Sequence, residues 1–281
     1  MPHLSFGWHT ALEIALVLIT LSLVLMLPRT RWARFASLAL RESALMVTLY
    51  GLWGVVGAYT LTDRAAAISR GQSIWKWERR LHVPGEDWLQ SYLLPHPHLT
   101  QVANAYYIYG HFNVLIAMLA WVWLRHRDAY PRLRLTIIVF TLMATAVQVV
   151  PVAPPRLLPG HLVVDTPTLF GQSVYDAGGL GAISQLAAMP SIHVGWSVLF
   201  AVTFIRLGRT WRRYLSVLHP LTMATVVVVT GNHYWADGAV SVVLLLLTFA
   251  LLAGWDALRH RVRRGAGTAH RPDERTPVAV A

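Results

Sequence analysis

The chain has 281 residues, of which 55% are hydrophobic and only 13% charged, and this composition excludes a soluble domain of its size. Because it contains no cysteine, disulfides and thiolate metal ligands are excluded as well. The net charge of +11 does not indicate a nucleic-acid partner, since the basic residues form short clusters between apolar runs, as in a polytopic membrane protein.

Seven apolar runs are long enough, or nearly so, to cross a bilayer, because roughly 20 helical residues span its hydrocarbon core. Helices are required, since lipid cannot satisfy open backbone groups. The predicted fold class is therefore all-α, a polytopic membrane helix bundle with about seven transmembrane helices. The runs lie near residues 11–27, 43–61, 101–124, 133–150, 189–205, 214–230 and 236–256.

Lysine and arginine are distributed unequally between the two sides of this seven-span arrangement. Alternate connections, together with the C-terminal tail, carry eighteen Lys and Arg residues, whereas the opposite side carries six. Basic residues accumulate in cytoplasmic loops, so we expect the C-terminus in the cytoplasm and the N-terminus outside. Residues 1–264 are predicted to form the transmembrane domain, and the Gly-, Pro- and charge-rich residues 265–281 a disordered cytoplasmic tail.

Residues 62–100 combine tryptophans with basic side chains and are too polar to span the membrane. They predict one or two short helices at the outer interface, split by Pro84-Gly85. Two interpretations are open. The segment is a lid in which Lys76, Arg79 or Arg80 contacts the substrate, or it is an aromatic belt whose basic side chains extend to lipid headgroups.

The third apolar run carries an unusual number of polar side chains for a membrane helix. Tyr107 and His111 are four residues apart and share one face of this helix. Ionisable groups inside a membrane are functional candidates, because an unpaired polar group in hydrocarbon is costly. We therefore consider substrate contact for both residues, with hydrogen bonding to a neighbouring helix as the alternative.

Residues 151–188 are rich in proline and glycine and predict a structured outer loop at the active site. This loop is expected to bring Arg156 close to the segment that follows it. A guanidinium group offers paired donors to a phosphate, which favours phosphate binding by Arg156. The alternative is a structural ion pair with Asp165 or Asp176.

The segment Ala188-Met-Pro-Ser-Ile-His-Val-Gly-Trp196 lies where a polar loop meets a long apolar run. Pro190 suits the first turn of a helix, where its missing N–H has no intrahelical acceptor. The N–H groups of Ser191, Ile192 and His193 are then free to face an anion, because a helix N-terminus attracts negative charge. The segment predicts an anion cradle with a histidine beside it.

A second motif, Gly231-Asn-His-Tyr-Trp-Ala-Asp-Gly238, precedes the last apolar run. His233 and Asp237 are four residues apart, so on a helix the carboxylate accepts the imidazole N–H and leaves the other ring nitrogen free to attack or to accept a proton. Either histidine alone is typical of a polar anchor at a membrane interface. Two histidines, a carboxylate and an anion cradle together predict a phosphoryl-transfer site.

Pro190-Ser191-x-His193 followed by His233-x-x-x-Asp237, each at the start of an apolar run, resembles the type 2 phosphatidic acid phosphatase superfamily. The resemblance covers about residues 100–256 and implies a six-helix phosphatase core preceded by one extra N-terminal span. His233-Tyr234-x-x-Asp237 and Pro151-x-x-Pro-Pro-Arg156 look most like the branch of inositol phosphorylceramide synthases and their bacterial relatives. The superfamily's phosphatases also carry a Lys-(x)6-Arg-Pro motif, which is absent here, and an arginine where this sequence has Val227.

Carried over residue by residue, the resemblance implies a covalent phosphohistidine mechanism. His233 is the nucleophile, Asp237 orients it, and His193 protonates the leaving oxygen and then deprotonates the acceptor. Arg156 and Ser191 bind the phosphate oxygens. No cofactor and no metal are expected, because the sequence has no cluster of carboxylates to hold Mg²⁺ and both histidines already have catalytic roles.

The expected function is a membrane lipid phosphotransferase that moves a phosphoryl headgroup from a phospholipid to the hydroxyl of a lipid or polyol acceptor. A phosphodiester carries less charge than a phosphomonoester, which matches a site with one nearby arginine. A lipid phosphate phosphatase acting on phosphatidic acid or a polyprenyl phosphate is the alternative, and a non-catalytic transporter or scaffold is a third. We expect the protein in a bacterial plasma membrane with its site at the outer face.

Overall fold

The computed structural model describes residues 7–28, 30–60, 63–160, 163–173 and 184–268, and the regular structure in these ranges is helical, as predicted. A π-helical turn lies at Tyr106–Gly110, and three short 3-10 segments lie at Pro155–Leu157, Ser184–Leu186 and Trp211–Val217. The α-helices are α1 (Trp8–Val24), α2 (Arg31–Thr60), α3 (Arg64–Arg80), α4 (Glu86–Leu93), α5 (Pro97–Ala105), α6 (His111–Arg125), α7 (Tyr130–Gln148), α8 (Thr166–Leu169), α9 (Ile192–Leu207), α10 (Leu218–Val229) and α11 (Trp235–Thr268).

Three helical stretches among the described residues are long and apolar enough to cross a membrane. They are Pro97–Arg125, Tyr130–Gln148 and Trp235–Val262. Trp8–Val24 and Ile192–Leu207 are apolar but shorter. The helices support an integral membrane protein, and the predicted count of seven spans is not confirmed.

Helix boundaries depart from the predicted runs at three places. Helix α2 is a single helix from Arg31 and includes most of the connection expected at 28–42, because its Ala, Arg and Leu residues favour helix. The sixth run begins with a 3-10 segment, since Pro220 fits only in the first turn of α10. Helix α11 continues to Thr268, past the domain end expected at 264, and the rest of the expected tail lies outside the described residues.

Of the one or two short helices expected in residues 62–100, the structure has two, α3 and α4, on either side of Pro84-Gly85. Helix α4 exposes aromatic residues and buries polar ones, whereas α3 buries Ala67 and Gly71 together with Glu78. Trp77 and Trp88 are exposed, whereas the Gln90 side chain is buried and its amide donates hydrogen bonds to the carbonyl oxygens of Val164 and Val229. Helix α4 is therefore held against the bundle by polar contacts.

The main core surrounds Phe140 of α7 and includes Ile137, Leu199 and Leu245 from α7, α9 and α11. A Cβ atom at Gly195 would overlap the Phe140 ring, so the glycine allows α9 to lie close to α7. This packing brings the starts of α9 and α11 side by side. Two hydrogen bonds join them, from Ser191 N–H to the Asp237 carbonyl oxygen at 3.1 Å and from Ser241 Oγ to the Ser191 carbonyl oxygen at 2.6 Å.

The predicted orientation is testable because the chain contains no cysteine. Thr168 and Thr210 are both exposed, and the count of basic residues predicts that they lie on opposite sides of the membrane. We expect a membrane-impermeant maleimide to label Thr168→Cys and to leave Thr210→Cys unlabelled in intact cells. Both variants should react after permeabilisation, and labelling of Thr210→Cys alone in intact cells would show that the orientation is inverted.

Candidate active site

The first motif forms the start of α9, which begins at Ile192 with Ser191 as its N-cap. Ser191 Oγ accepts a hydrogen bond from Val194 N–H, as N-cap side chains do. The prediction that Pro190 occupies the first helical turn is wrong, because Pro190 precedes the N-cap residue Ser191. Since Ser191 N–H already donates to Asp237, the first-turn N–H groups left to face an anion are those of Ile192 and His193.

The second motif is a tight turn that ends α10 and leads into α11. Gly231 has a φ of 73°, and a Cβ atom there would lie 2.7 Å from Val163 Cγ1, so this position requires glycine. The N–H groups of Asn232 and His233 both donate to the Val227 carbonyl oxygen at 3.0 Å. These hydrogen bonds fix the backbone of the turn and thereby the direction in which the His233 side chain leaves it.

His233 Nδ1 lies 2.7 Å from the Ala188 carbonyl oxygen and 3.2 Å from Asp237 Oδ2. Both partners are acceptors, so Nδ1 carries the proton and Nε2 keeps its lone pair. Tyr234 N–H donates to the same carboxylate oxygen at 2.9 Å, which orients Asp237. The pairing of His233 with Asp237 was predicted, but Ala188 was not, because a backbone carbonyl leaves no side-chain signal in a sequence.

Burial lowers the pKa of His233 to about 4. The hydrogen bond to the Ala188 carbonyl oxygen opposes this change, and the positive charge of Arg156 adds to it. A histidine with so low a pKa is neutral at pH 7. The ring is therefore in the form that a nucleophile requires.

His193 faces His233 with a distance of 5.7 Å between ring centroids. Tyr107 stacks on His193 at 4.5 Å and lies in the π-helical turn, a type of distortion that occurs frequently at functional sites. His111 also lies 4.5 Å from His193, and it stacks on Trp196 at 5.0 Å. Two rings thus pack against His193.

Arg156 lies in the loop that follows α7 and contacts the turn that carries His233. Its backbone N–H donates to the Gly231 carbonyl oxygen, Nη1 donates to Asn232 Oδ1 at 2.6 Å, and Nε lies 3.3 Å from Asp165 Oδ2. The ion pair with Asp165 that the sequence left open is therefore formed, while Asp176 lies outside the described residues. Asn232 was not predicted, although its position next to His233 in a polar turn is a signal for it.

A cavity of about 60 Å³ lies between these groups. His193, His233, Arg156, Asn232 and Tyr107 line it, and Arg156 is the one Lys or Arg among the described residues that do so. This set combines a neutral imidazole with a free nitrogen, a second imidazole and a guanidinium. Such an arrangement can perform phosphoryl transfer, with a nucleophile, a general acid and a cation in one place.

Trp53 and Gln148 also line the cavity, and sequence reasoning missed both. Trp53 Nε1 donates to Gln148 Oε1 at 2.6 Å, and Gln148 Nε2 donates to the Pro190 carbonyl oxygen at 3.3 Å. Neither residue lies in a recognisable motif, and they are far apart in the chain. Their contribution depends on the packing of α2 against α7.

Four residues expected to contact the phosphate or substrate are not among the residues that line the cavity. Ser191 is buried as the N-cap of α9, and His111 is buried against His193. Lys76 is exposed on α3. Arg79 Nη2 contacts Glu86 and Asp87, and the guanidinium lies over the Trp75 ring.

Val227, which stands where the phosphatases' arginine was expected, is buried in α10. Its side chain belongs to an apolar cluster that includes Val194 and Met223. Its backbone carbonyl oxygen accepts the N–H groups that shape the turn before His233. The position therefore supplies backbone geometry and no positive charge.

The family of the chain follows from comparison with known proteins. The family described as the PAP2 superfamily matches residues 72–251, which is more than half of the chain. The chain belongs to this superfamily, and the predicted resemblance is confirmed at that level. Its members are generally lipid phosphatases and phosphotransferases, so membership supports an enzyme of this broad kind. No curated protein and no solved structure matches the chain.

The contacts of Arg156 predict how the cavity binds an anion. We expect Arg156→Leu to weaken the binding of inorganic phosphate by at least about 10-fold, because a charge-assisted hydrogen bond contributes about 1.5–3 kcal/mol. Asn232→Ala should have a smaller effect in the same direction, since the guanidinium loses one orienting contact. Isothermal titration calorimetry of the detergent-solubilised protein measures both changes.

Arg132→Leu is the matched control, because Arg132 also pairs with an aspartate, Asp256, but does not line the cavity. Its phosphate affinity should equal that of the unmodified protein. Equal weakening by Arg132→Leu and Arg156→Leu would show that the effect is one of general charge and that Arg156 is no specific ligand.

Proposed function

We propose that this protein is a membrane lipid phosphotransferase that moves a phosphoryl headgroup from a phospholipid to a hydroxyl acceptor through a phosphohistidine. The observation that carries the proposal is the meeting of His193, His233 and Arg156 around one cavity. The bonding of His233 Nδ1 supports it further, because both partners of that nitrogen are acceptors and Nε2 is left as the nucleophile.

In the first half-reaction, His233 Nε2 attacks the phosphorus atom of the donor lipid. A nitrogen–phosphorus bond forms, the bond between phosphorus and the glycerol oxygen breaks, and His193 gives that oxygen its proton. Diacylglycerol leaves, and the headgroup phosphate stays on His233. Arg156 and the N–H groups at the start of α9 stabilise the negative charge on the phosphate oxygens.

In the second half-reaction, His193 removes the proton from the acceptor hydroxyl, whose oxygen attacks the phosphorus. The nitrogen–phosphorus bond breaks, and His233 returns to its starting form. Asp237 and the Ala188 carbonyl oxygen hold the imidazole throughout, because both accept from its Nδ1. The proposed reaction uses no cofactor and no metal, since the two histidines and one arginine of the cavity already supply nucleophile, acid and cation.

The choice of a diester over a monoester follows from the charge of the cavity. A phosphomonoester is nearly a dianion at pH 7, whereas a diester has one negative charge. Arg156 is the one cation among the described residues lining the cavity, and Val227 is apolar where phosphatases carry an arginine. A single guanidinium matches a monoanion better. The same features support placement in the inositol phosphorylceramide synthase-like branch.

The proposed partners are a phospholipid donor and a lipid or polyol acceptor in the bilayer. The proposed location is a bacterial plasma membrane, with the cavity on its outer side, because the basic residues concentrate in the connections on the opposite side. Pro84 and Arg156, from the segments 62–100 and 151–188, contact Trp235 and Gly231 near the start of α11, so these contacts lie on the outer side in this arrangement.

The covalent step is tested with a phospholipid that carries radioactive phosphate. We expect the unmodified protein to retain label through an acid-labile, alkali-stable bond, and His233→Ala to retain none. Asp237→Asn should keep the intermediate but slow its formation by about 10²-fold to 10⁴-fold, because an orienting carboxylate is lost. Label that persists on His233→Ala would assign the nucleophile to another residue.

The reaction type is tested by presenting phosphatidic acid and phospholipid diesters in parallel, with and without a polyol or lipid acceptor. We expect the diester to turn over faster, EDTA to have no effect, and the headgroup phosphate to appear on the acceptor. Lipid mass spectrometry identifies the products. Faster turnover of phosphatidic acid with inorganic phosphate as the only product would establish the phosphatase alternative.

A further inference from the structure

Two buried carboxyl groups lie beside the proposed site and take no part in the reaction described above. Glu78 near the end of α3 and Glu86 at the start of α4 are 2% and 0% exposed. Burying an ionised carboxylate is costly unless it is paired or hydrogen-bonded, and two adjacent carboxylates also repel each other. Their burial therefore calls for a physical explanation.

One oxygen of each carboxyl group has a clear partner. Glu78 Oε1 accepts from Ala236 N–H at 2.7 Å, in the first turn of α11. Glu86 Oε2 accepts from Arg79 Nη2 at 3.1 Å, but the same nitrogen lies closer to Asp87, at 2.6 Å. The other two oxygens, Glu78 Oε2 and Glu86 Oε1, have no protein donor among the described residues. One proton shared by the pair would make one carboxyl group a donor to the other, which is the kind of partner that these oxygens lack.

Burial raises the pKa of Glu86 from 4.5 to about 8, and the neighbouring Glu78 carboxyl group acts in the same direction, while the backbone of Glu86 and the charge of Arg79 oppose them. The folded chain thus holds this proton more tightly than the unfolded chain. The resulting stability is complete below about pH 4.5 and is lost as the pH rises through about 8.

The groups around the pair come from two sides. Arg79 and Asp87 face it from the α3 and α4 side, and Tyr234 and Asp237 from the start of α11. The one cation of this set, Arg79, is shared with Asp87. A second ionisation in the pair would therefore add negative charge next to Asp237 with little compensation.

The contact with Ala236 N–H connects the pair to the proposed chemistry. Ala236 is adjacent to Asp237, which orients His233. Trp235 Nε1 also donates to the Pro84 carbonyl oxygen at 3.0 Å, so the first turn of α11 is held by α3 and by the connection to α4. A shift of this turn would move Asp237 relative to His233 and Ala188.

Resting on the phosphotransferase function proposed above, we propose that Glu78 and Glu86 share one proton that docks α3 and α4 on the first turn of α11. Glu78 is thereby a positioning residue for His233 and Asp237. Loss of the shared proton leaves two negative charges facing each other, releases the first turn of α11 and reduces turnover. The segment that carries the exposed tryptophans is in this way coupled to the site by a titratable contact.

The test uses the Glu86→Gln variant, whose side-chain amide donates to Glu78 at every pH. Turnover of the unmodified protein should fall as the pH rises past about 8, whereas Glu86→Gln should keep its turnover into the alkaline range. Asp128→Asn is the control, because Asp128 is an exposed carboxylate between α6 and α7 and takes no part in the contacts described for the pair. Its alkaline limb should coincide with that of the unmodified protein.

Variants of Glu78 separate positioning from general stability. Glu78→Gln retains an oxygen acceptor for Ala236 N–H and should keep most of the activity, whereas Glu78→Ala should lower kcat by about 10-fold to 100-fold with little change in KM. Equal losses in the two variants, or an alkaline limb in Glu86→Gln that matches the unmodified protein, would overturn the proposal.

A readout without turnover distinguishes failure of this inference from failure of the proposed function. Hydrogen exchange of residues 233–240, compared between Glu86→Gln and the unmodified protein at each pH, reports the docking directly. We expect equal protection at pH 6 and faster exchange in the unmodified protein at pH 9. Equal protection at both pH values would overturn the inference even in a protein with full phosphotransferase activity.

Discussion

The hydrogen bond from His233 Nδ1 to the Ala188 carbonyl oxygen joins the two segments that begin α9 and α11, and the site depends on it. This bond selects the histidine tautomer and at the same time joins the turn before α11 to the segment before α9. The bond from Ser191 N–H to the Asp237 carbonyl oxygen runs in the opposite direction between the same two helices. Because both bonds are buried, neither segment can shift without leaving a polar group unsatisfied.

Buried hydrogen bonds also hold the loop residues around the site. Arg156 is held through its backbone at Gly231 and through its side chain at Asn232 and Asp165, so its guanidinium is fixed before any anion arrives. Tyr234 Oη donates to the Ala153 carbonyl oxygen at 2.9 Å and ties the start of α11 to that loop. Preorganised donors of this kind stabilise developing charge without reorganising during the reaction.

Much of this arrangement was open to prediction. The hydrophobic runs predicted an all-helical membrane protein, and the four-residue spacing predicted the contact of His233 with Asp237. The contact forms although His233 lies in the turn that precedes α11 and outside the helix. The same reasoning misplaced the start of α9, since it assigned Pro190 to the helix when the better cap was Ser191. It also separated α2 from its preceding connection, because arginines that suggest a loop are compatible with an exposed helix.

Residue type and short spacing therefore predicted the local chemistry of the chain. They showed which segments are apolar, which histidine has a carboxylate four residues away, and which loop carries an arginine. What required the tertiary structure were the contacts between segments far apart in sequence. Trp53 and Gln148 meet in the cavity wall, and Glu78 reaches the first turn of α11, across separations that no periodicity encodes. Such contacts are decided by the packing of whole helices, in which buried polar groups find partners wherever the fold places them.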